Sequence, residues 1–184
     1  MPKSALVILA EGFEEIEAVS CIDVLRRANI EVVAASLNSL RVKGSRGITL
    51  IADKKLLDAG SDYDALVLPG GGLGAKNLAA SDKVNALIKE MAAQGKIIAA
   101  ICASPAVVLA HTGILTSRNA TCFPGMETYF DKTTIFKEDK IVTDGNLITS
   151  RGPATALLFA LAIVEKLTGK ETAQEVSAAT LLNQ

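Results

Sequence analysis

The sequence predicts an α/β fold, a mostly parallel sheet covered by helices on both faces, and two observations carry that prediction. Short uncharged apolar runs at 5–10, 65–68 and 97–101 have the length and composition of strands buried on both faces. Between them lie segments whose apolar residues recur at helical spacing, and strands alternating with helices build parallel sheets. No internal repeat and no Pro/Gly/Ser-rich linker divides the chain, so residues 1–184 are expected to form a single domain with a sizeable core.

Taken in order, 5–10 is a first strand, and Glu11-Gly12 turns the chain into a helix over 14–28, where Ile16, Val19, Ile22 and Leu25 keep helical spacing. Residues 30–36 form a second strand. A polar excursion over 37–47, carrying Arg41, Lys43 and Arg46, leads to a strand over 48–52. After the strand 65–68, Pro69-Gly70-Gly71-Gly72-Leu73-Gly74 reads either as backbone bare enough to approach a ligand or as a flexible turn. Ser81 caps a helix over 82–93, whose Val84, Leu87, Ile88 and Met91 form one apolar face, and Gly95 ends it. The strand 97–101 runs into Cys102, and Pro105 opens a helix over 106–110 that stops near His111-Thr112-Gly113. From 120 to 149 the pattern changes to short strands, with Ile141-Val142 and Leu147-Ile148 paired across Asp144-Gly145-Asn146. Helices over 154–167 and 171–182 finish the chain.

Composition narrows the function. Hydrophobic residues make up 49% of the chain, too many for a disordered protein. A net charge of −1 with dispersed basic residues makes nucleic acid an unlikely partner. No apolar run is long enough to span a bilayer and no cleavage-site pattern follows Met1-Pro2-Lys3-Ser4, so the expectation is a cytoplasmic protein that does not enter a membrane. Three irregularly spaced cysteines, Cys21, Cys102 and Cys122, fit free thiols in a reducing compartment, and one histidine with no CxxC pair argues against a metal site.

Cys102 is the residue of most chemical interest. A side chain at a sharp strand-to-helix corner projects from the carboxyl edge of the sheet, where the helix N-terminus offers free N–H groups and partial positive charge. On position alone, Cys102 reads equally as one more small buried hydrophobe. Ligands of parallel sheets bind beyond the carboxyl ends of the strands. That edge is expected to gather the acidic turn of Glu11, Glu14, Glu15 and Glu17, the glycine run and Cys102.

Four stretches resemble the ThiJ/PfpI superfamily, and within it the deglycase and redox-sensor branch. They are Leu6-Val7-Ile8-Leu9-Ala10 through Glu17, Val67-Leu68-Pro69-Gly70-Gly71, Ala99-Ala100-Ile101-Cys102-Ala103, and Thr149-Ser150-Arg151-Gly152-Pro153 through Glu165. The resemblance implies a flavodoxin-like three-layer α/β/α sandwich of the class I glutamine amidotransferase type, usually a homodimer, with the cysteine on a nucleophile elbow. It implies catalytic roles for Cys102 and Glu17, with the backbone N–H groups of Gly71 and Ala103 as oxyanion donors. Arg27 and Arg46 match arginines near the dimer seam and the pocket mouth. The implied activity is cofactor-independent and metal-free: glyoxalase or deglycase action on small reactive carbonyls or glycated substrates. The alternative is a redox sensor or oxidative-stress chaperone in which Cys102 is oxidised with little turnover.

Further expectations attach to single residues. Glu17, pressed against a thiolate in a buried pocket, should hold its proton and donate to the sulfur, and the Cys102 pKa should fall into the range of activated thiols, roughly 3.5–7.5. Phe123 stands where many relatives place a histidine. His111 is expected to lie out of phase with Cys102, about 13 Å along a regular helix. Cys21 should share the Glu17 face, Cys122 is a packing residue or a resolving thiol, and Ser104 narrows the elbow. The helix 14–28 should present Ile16, Val19, Ser20 and Asp23, with Ala18 and Cys21, as a dimer surface.

Overall fold

The computed structural model describes residues 2–182. Met1, Asn183 and Gln184, which the expected 1–184 domain includes, lie outside the described residues. The chain runs β1 (Ser4–Leu9), α1 (Glu15–Arg27), β2 (Glu31–Ser36), β3 (Arg41–Lys43), β4 (Thr49–Ile51), β5 (Lys54–Lys55), β6 (Ala65–Leu68), α2 (Gly72–Ala79), α3 (Asp82–Ala93), β7 (Ile97–Ile101), β8 (Asn119–Ala120), β9 (Ile135–Phe136), β10 (Ile141–Asp144), β11 (Leu147–Ser150), α4 (Ala156–Thr168) and α5 (Lys170–Ala179). The main sheet has the order β10-β11-β7-β6-β1-β2-β5, and only the β10–β11 hairpin is antiparallel.

β1, β6 and β7 are the apolar runs of the sequence, and β6 and β7 are buried along their whole length. Register sets Leu6 beside Leu66 and Leu66 beside Ile98, so the core is continuous across the three strands. Right-handed crossovers that proceed from β1 toward β2 and from β6 toward β7 place their helices on opposite faces. α1 packs on α4, and α4 on α5, while α2 and α3 pack together across the sheet. The expected flavodoxin-like three-layer sandwich is therefore the fold. Because the chain leaves β1 in one direction and β6 in the other, the turns after these two strands diverge and open a crevice at the carboxyl edge.

Several elements depart from expectation. The run at 48–52 does not join the main sheet; β4 pairs with β3 in a separate ribbon, Arg41 opposite Ile51 and Lys43 opposite Thr49. β3 hides in the sequence because Val42 is its only apolar residue, between two cations, yet Val42 is buried. α2 stands where only a glycine-rich turn is legible, since two of its first three residues are glycine, the poorest helix former after proline. Burial of Ala75 and Leu78 overrides that propensity. The segment after the elbow is a π-helical turn over Pro105–Leu109 followed by a single 3-10 turn, not a regular α-helix. The last helix stops at Ala179 instead of 182.

Candidate functional site

Four segments meet in the crevice. β1 ends at Leu9, and the turn at Gly12 is followed by Glu14, whose side chain caps α1 by accepting from the Glu17 N–H at 2.8 Å. This cap starts the helix so that Glu17 points inward, fully buried, while Ile16 points out. β6 delivers Gly70 and Gly71. A Cβ on Gly70 would lie 2.6 Å from Cys102 Cβ and 2.7 Å from Glu17 Oε2, and one on Gly71 would meet the backbone of Phe13 and Glu14. Only bare backbone fits at Gly70 and Gly71, where the close neighbours are the protein's own Cys102 and Glu17 and the backbone of 12–14.

β7 delivers Cys102, whose N–H donates to Ser150 C=O at 2.9 Å. Its φ of 65° is in the left-handed region, a conformation that costs a non-glycine residue about 1–3 kcal/mol and here turns the side chain out of the sheet. Ser104 ties the elbow down, its hydroxyl donating to Pro69 C=O at 2.6 Å. The sequence suggested only that Ser104 crowds the corner; the structure shows a link between the glycine loop and the turn that carries the thiol.

The Gly70 N–H donates to Glu17 Oε2 at 2.7 Å, Oε1 has no oriented hydrogen-bond partner, and the carboxyl lies within reach of the Cys102 thiol. Burial pushes Glu17 up to about 7, against the Gly70 N–H, which favours its charged form. The expected fall of the Cys102 pKa is corrected. Burial first, then the Glu17 charge, pushes the thiol up to about 12, and the N–H groups of Gly71 and Ala103 that face the sulfur offset only part of this. Acid and thiol thus hold one proton between them once the pH passes about 7, and two negative charges are not tolerated side by side. A thiolate arises when Glu17 holds that proton; the sulfur then keeps two peptide N–H donors.

Other expected residues are placed as follows. Arg27 lies about 15 Å along α1 from Glu17, its Nε donating to Asp23 Oδ2 at 2.8 Å, so the fold does not bring it to the thiol. Arg46 is at the tip of the β3–β4 ribbon with an exposed side chain, and its N–H donates to Glu15 Oε1 at 2.6 Å. His111 hydrogen-bonds Val107 C=O and Asn85 Oδ1 and stands apart from Cys102. Cys21 and Ala18 are fully buried within the chain, so they do not belong to an outer face of α1. Cys21 does feel the Glu17 charge, which adds to burial in raising its thiol. Cys122 is buried, uncrosslinked and raised to about 12 by burial.

Glu15 was legible only as one acid of a charged turn. It is buried and receives the Ser45 hydroxyl at 3.0 Å as well as the N–H groups of Arg46 and Ile48. Burial disfavours its charge, but these donors prevail and hold its pKa below the ordinary value. Glu15 therefore fastens the ribbon to the start of α1. Among the described residues no group of His, Cys, Asp or Glu is arranged to hold a metal ion, and no helix is long and apolar enough to cross a membrane.

A doubly covered parallel sheet with a left-handed cysteine at its carboxyl edge, two peptide N–H groups on the sulfur and a buried acid beside it defines a cysteine-elbow α/β protein. The chain belongs to the DJ-1/PfpI family, whose profile matches residues 3–166. It is 45% identical over 185 residues to the protein dj-1beta of Drosophila melanogaster, covering 99% of this chain and 98% of that one. The crystal structure of Drosophila DJ-1beta superposes with a TM-score of 0.94, covering 98% of each chain at 46% identity. Identity to the protein DJ-1 homolog B of Arabidopsis thaliana is 49% over 180 residues, 96% of this chain but 41% of that longer protein. The Caenorhabditis elegans protein named glutathione-independent glyoxalase DJR-1.2 is 39% identical over 175 residues, 92% of this chain and 91% of its own.

Proposed function

We propose that this protein converts small reactive 2-oxoaldehydes to 2-hydroxy acids, with Cys102 as nucleophile and Glu17 as proton carrier, in defence against carbonyl and oxidative stress. The observation that carries the reading is the buried Glu17 carboxyl, raised to about 7 and set against an elbow thiol that two backbone N–H groups face. A general acid–base with a pKa near neutrality is matched to moving protons at that pH. The name of the C. elegans relative supports the same chemistry.

The steps balance without an outside oxidant. The Cys102 sulfur bonds to the aldehyde carbon while Glu17 gives its proton to the carbonyl oxygen, forming a hemithioacetal. The Glu17 carboxylate then removes the hydrogen on that carbon and returns a proton to the neighbouring ketone carbon, while the hydroxyl proton of the hemithioacetal passes to the ketone oxygen, so one carbon is oxidised as the other is reduced. The resulting thioester is hydrolysed by water, releasing the hydroxy acid and restoring the thiol. The N–H groups of Gly71 and Ala103 are suited to negative charge on sulfur or on the adjoining oxygen. Glycated thiols or amines that release the same carbonyls enter at the first step.

Residues 1–184 act as one unit in this reading, in a reducing compartment such as the cytoplasm, where three free thiols persist. A homodimer through α1 is part of it, since Ile16 and Val19 are 56% and 45% exposed on one face of that helix. A redox role rests on one observation: Cys102 retains 8% exposure while Cys21 and Cys122 have none. The test is conversion of methylglyoxal to lactate by chelator-treated protein, expected in the wild type and lost in Cys102→Ala. Peroxide consumed once per Cys102, with no lactate formed, would favour the redox role.

A further inference from the structure

Two exposed apolar side chains, Phe123 and Leu73, belong to segments that touch the surroundings of Cys102, and the proposed reaction leaves them unused. Phe123 is 44% exposed, and its N–H donates to Cys102 C=O at 2.8 Å. Its ring lies along Gly152, where a Cβ would sit 3.4 Å from Phe123 Cδ2. Gly152 is two residues beyond Ser150, whose C=O receives the Cys102 N–H, so the ring lies just past the end of the strand that pairs with the thiol-bearing residue. Leu73, 56% exposed, is the second residue of α2, two beyond Gly71, the residue whose N–H faces the sulfur, and its side chain lies against Gly12.

The charged side chain next to Gly152 is committed elsewhere: the Arg151 guanidinium donates to Glu138 C=O and lies over the Phe136 ring. Apolar walls with a few convergent polar atoms at the reacting centre are the usual make-up of a small-molecule site. Phe123 and Leu73 are the exposed apolar residues available for such walls, and the polar atoms are those around the sulfur. A hydrated or polyhydroxylated substituent would find no partner on those walls, whereas an aryl or extended alkyl group would cover exposed apolar surface.

We propose, building on the carbonyl reading above, that Phe123 and Leu73 cradle the substituent of the reacting carbonyl and make the site selective for 2-oxoaldehydes bearing an aryl or long alkyl group. Methylglyoxal is then a poor substrate relative to phenylglyoxal.

Two ratios measured on the full chain test this. The first is kcat/KM for phenylglyoxal over methylglyoxal; the second is the rate of Cys102 alkylation by N-phenylmaleimide over N-ethylmaleimide, which needs no turnover. Wild type is expected to favour the aryl member of each pair. Phe123→Ala should lower both ratios by about tenfold, the upper end of what an aromatic pair contributes; Phe123→Tyr should keep them, and Leu73→Ser should lower them less. A maleimide ratio unchanged in folded Phe123→Ala overturns the cradle. A maleimide ratio that falls while wild type shows no preference for phenylglyoxal overturns the carbonyl selectivity. If wild type turns over neither oxoaldehyde, the carbonyl reading fails and the maleimide ratio alone decides the cradle.

Discussion

Replacing Glu17 by glutamine should make the protein more stable as the pH rises. In the folded protein this carboxyl loses its proton at about 7, against an ordinary value of 4.5. Between those values the native state keeps a proton that the unfolded chain has released, so wild-type stability falls through that window and the loss is complete above about 7. The gap corresponds to about 3 kcal/mol. Glutamine preserves the shape of the site: its carbonyl oxygen can accept from Gly70 N–H where Oε2 now does, and its amide can point toward the thiol from the Oε1 position, which lacks an oriented partner. Because glutamine does not titrate, the stability of Glu17→Gln minus that of wild type should climb by about 3 kcal/mol between about pH 4.5 and pH 8. Staying below about pH 8 keeps the cysteines out of the measurement, their ordinary value being 9.0. Urea unfolding of both proteins across that range, followed by far-UV circular dichroism, reads the difference. A difference that stays flat with pH would refute the claim that burial holds a proton on this acid.

Graded hydrogen peroxide followed by peptide mapping should find Cys102 modified before Cys21 or Cys122, both of which are fully covered. Val19→Asp sets a charge into the exposed α1 face and should shift sedimentation velocity toward monomer at micromolar concentration; a wild type that is already monomeric there contradicts the dimer. Glu15→Ala takes the acceptor from the Arg46 N–H and the Ser45 hydroxyl, and should lower stability to urea at neutral pH by about 2 kcal/mol. A loss within error of zero would mean that water replaces the carboxylate without cost.

Much of this architecture is legible in the sequence because its signals are local. The strands β1, β6 and β7 are continuous apolar runs, Ser81 does accept from the Val84 N–H to start α3, and the Asp144-Gly145-Asn146 turn joins β10 to β11. What stays hidden depends on tertiary contact. Val42 is buried in a ribbon that Glu15, distant in sequence, fastens to the start of α1. Glu15 and Glu17 sit two residues apart in one acidic turn, and nothing in that run says that one anchors a loop while the other faces a thiol. α2 is made by what Ala75 and Leu78 pack against, not by its own glycine-rich start. The position of Cys102 at the corner could be read from the change of pattern after Ile101, but its pKa could not. The sign there depends on how far burial and the Glu17 charge outweigh the amides of Gly71 and Ala103, and that balance exists only in three dimensions.

In the proposed reaction Cys102 and Glu17 act as one unit on a carbonyl. Rapid quenching of the protein during reaction with methylglyoxal, with intact mass and peptide mapping of Cys102, tests it directly. Wild type should show a transient adduct on Cys102 and form lactate, Cys102→Ala should show neither, and Glu17→Gln should accumulate the first adduct without forming lactate. Lactate formed at the wild-type rate by Glu17→Gln, or adducts confined to Cys21, Cys122 or lysines, would contradict the account.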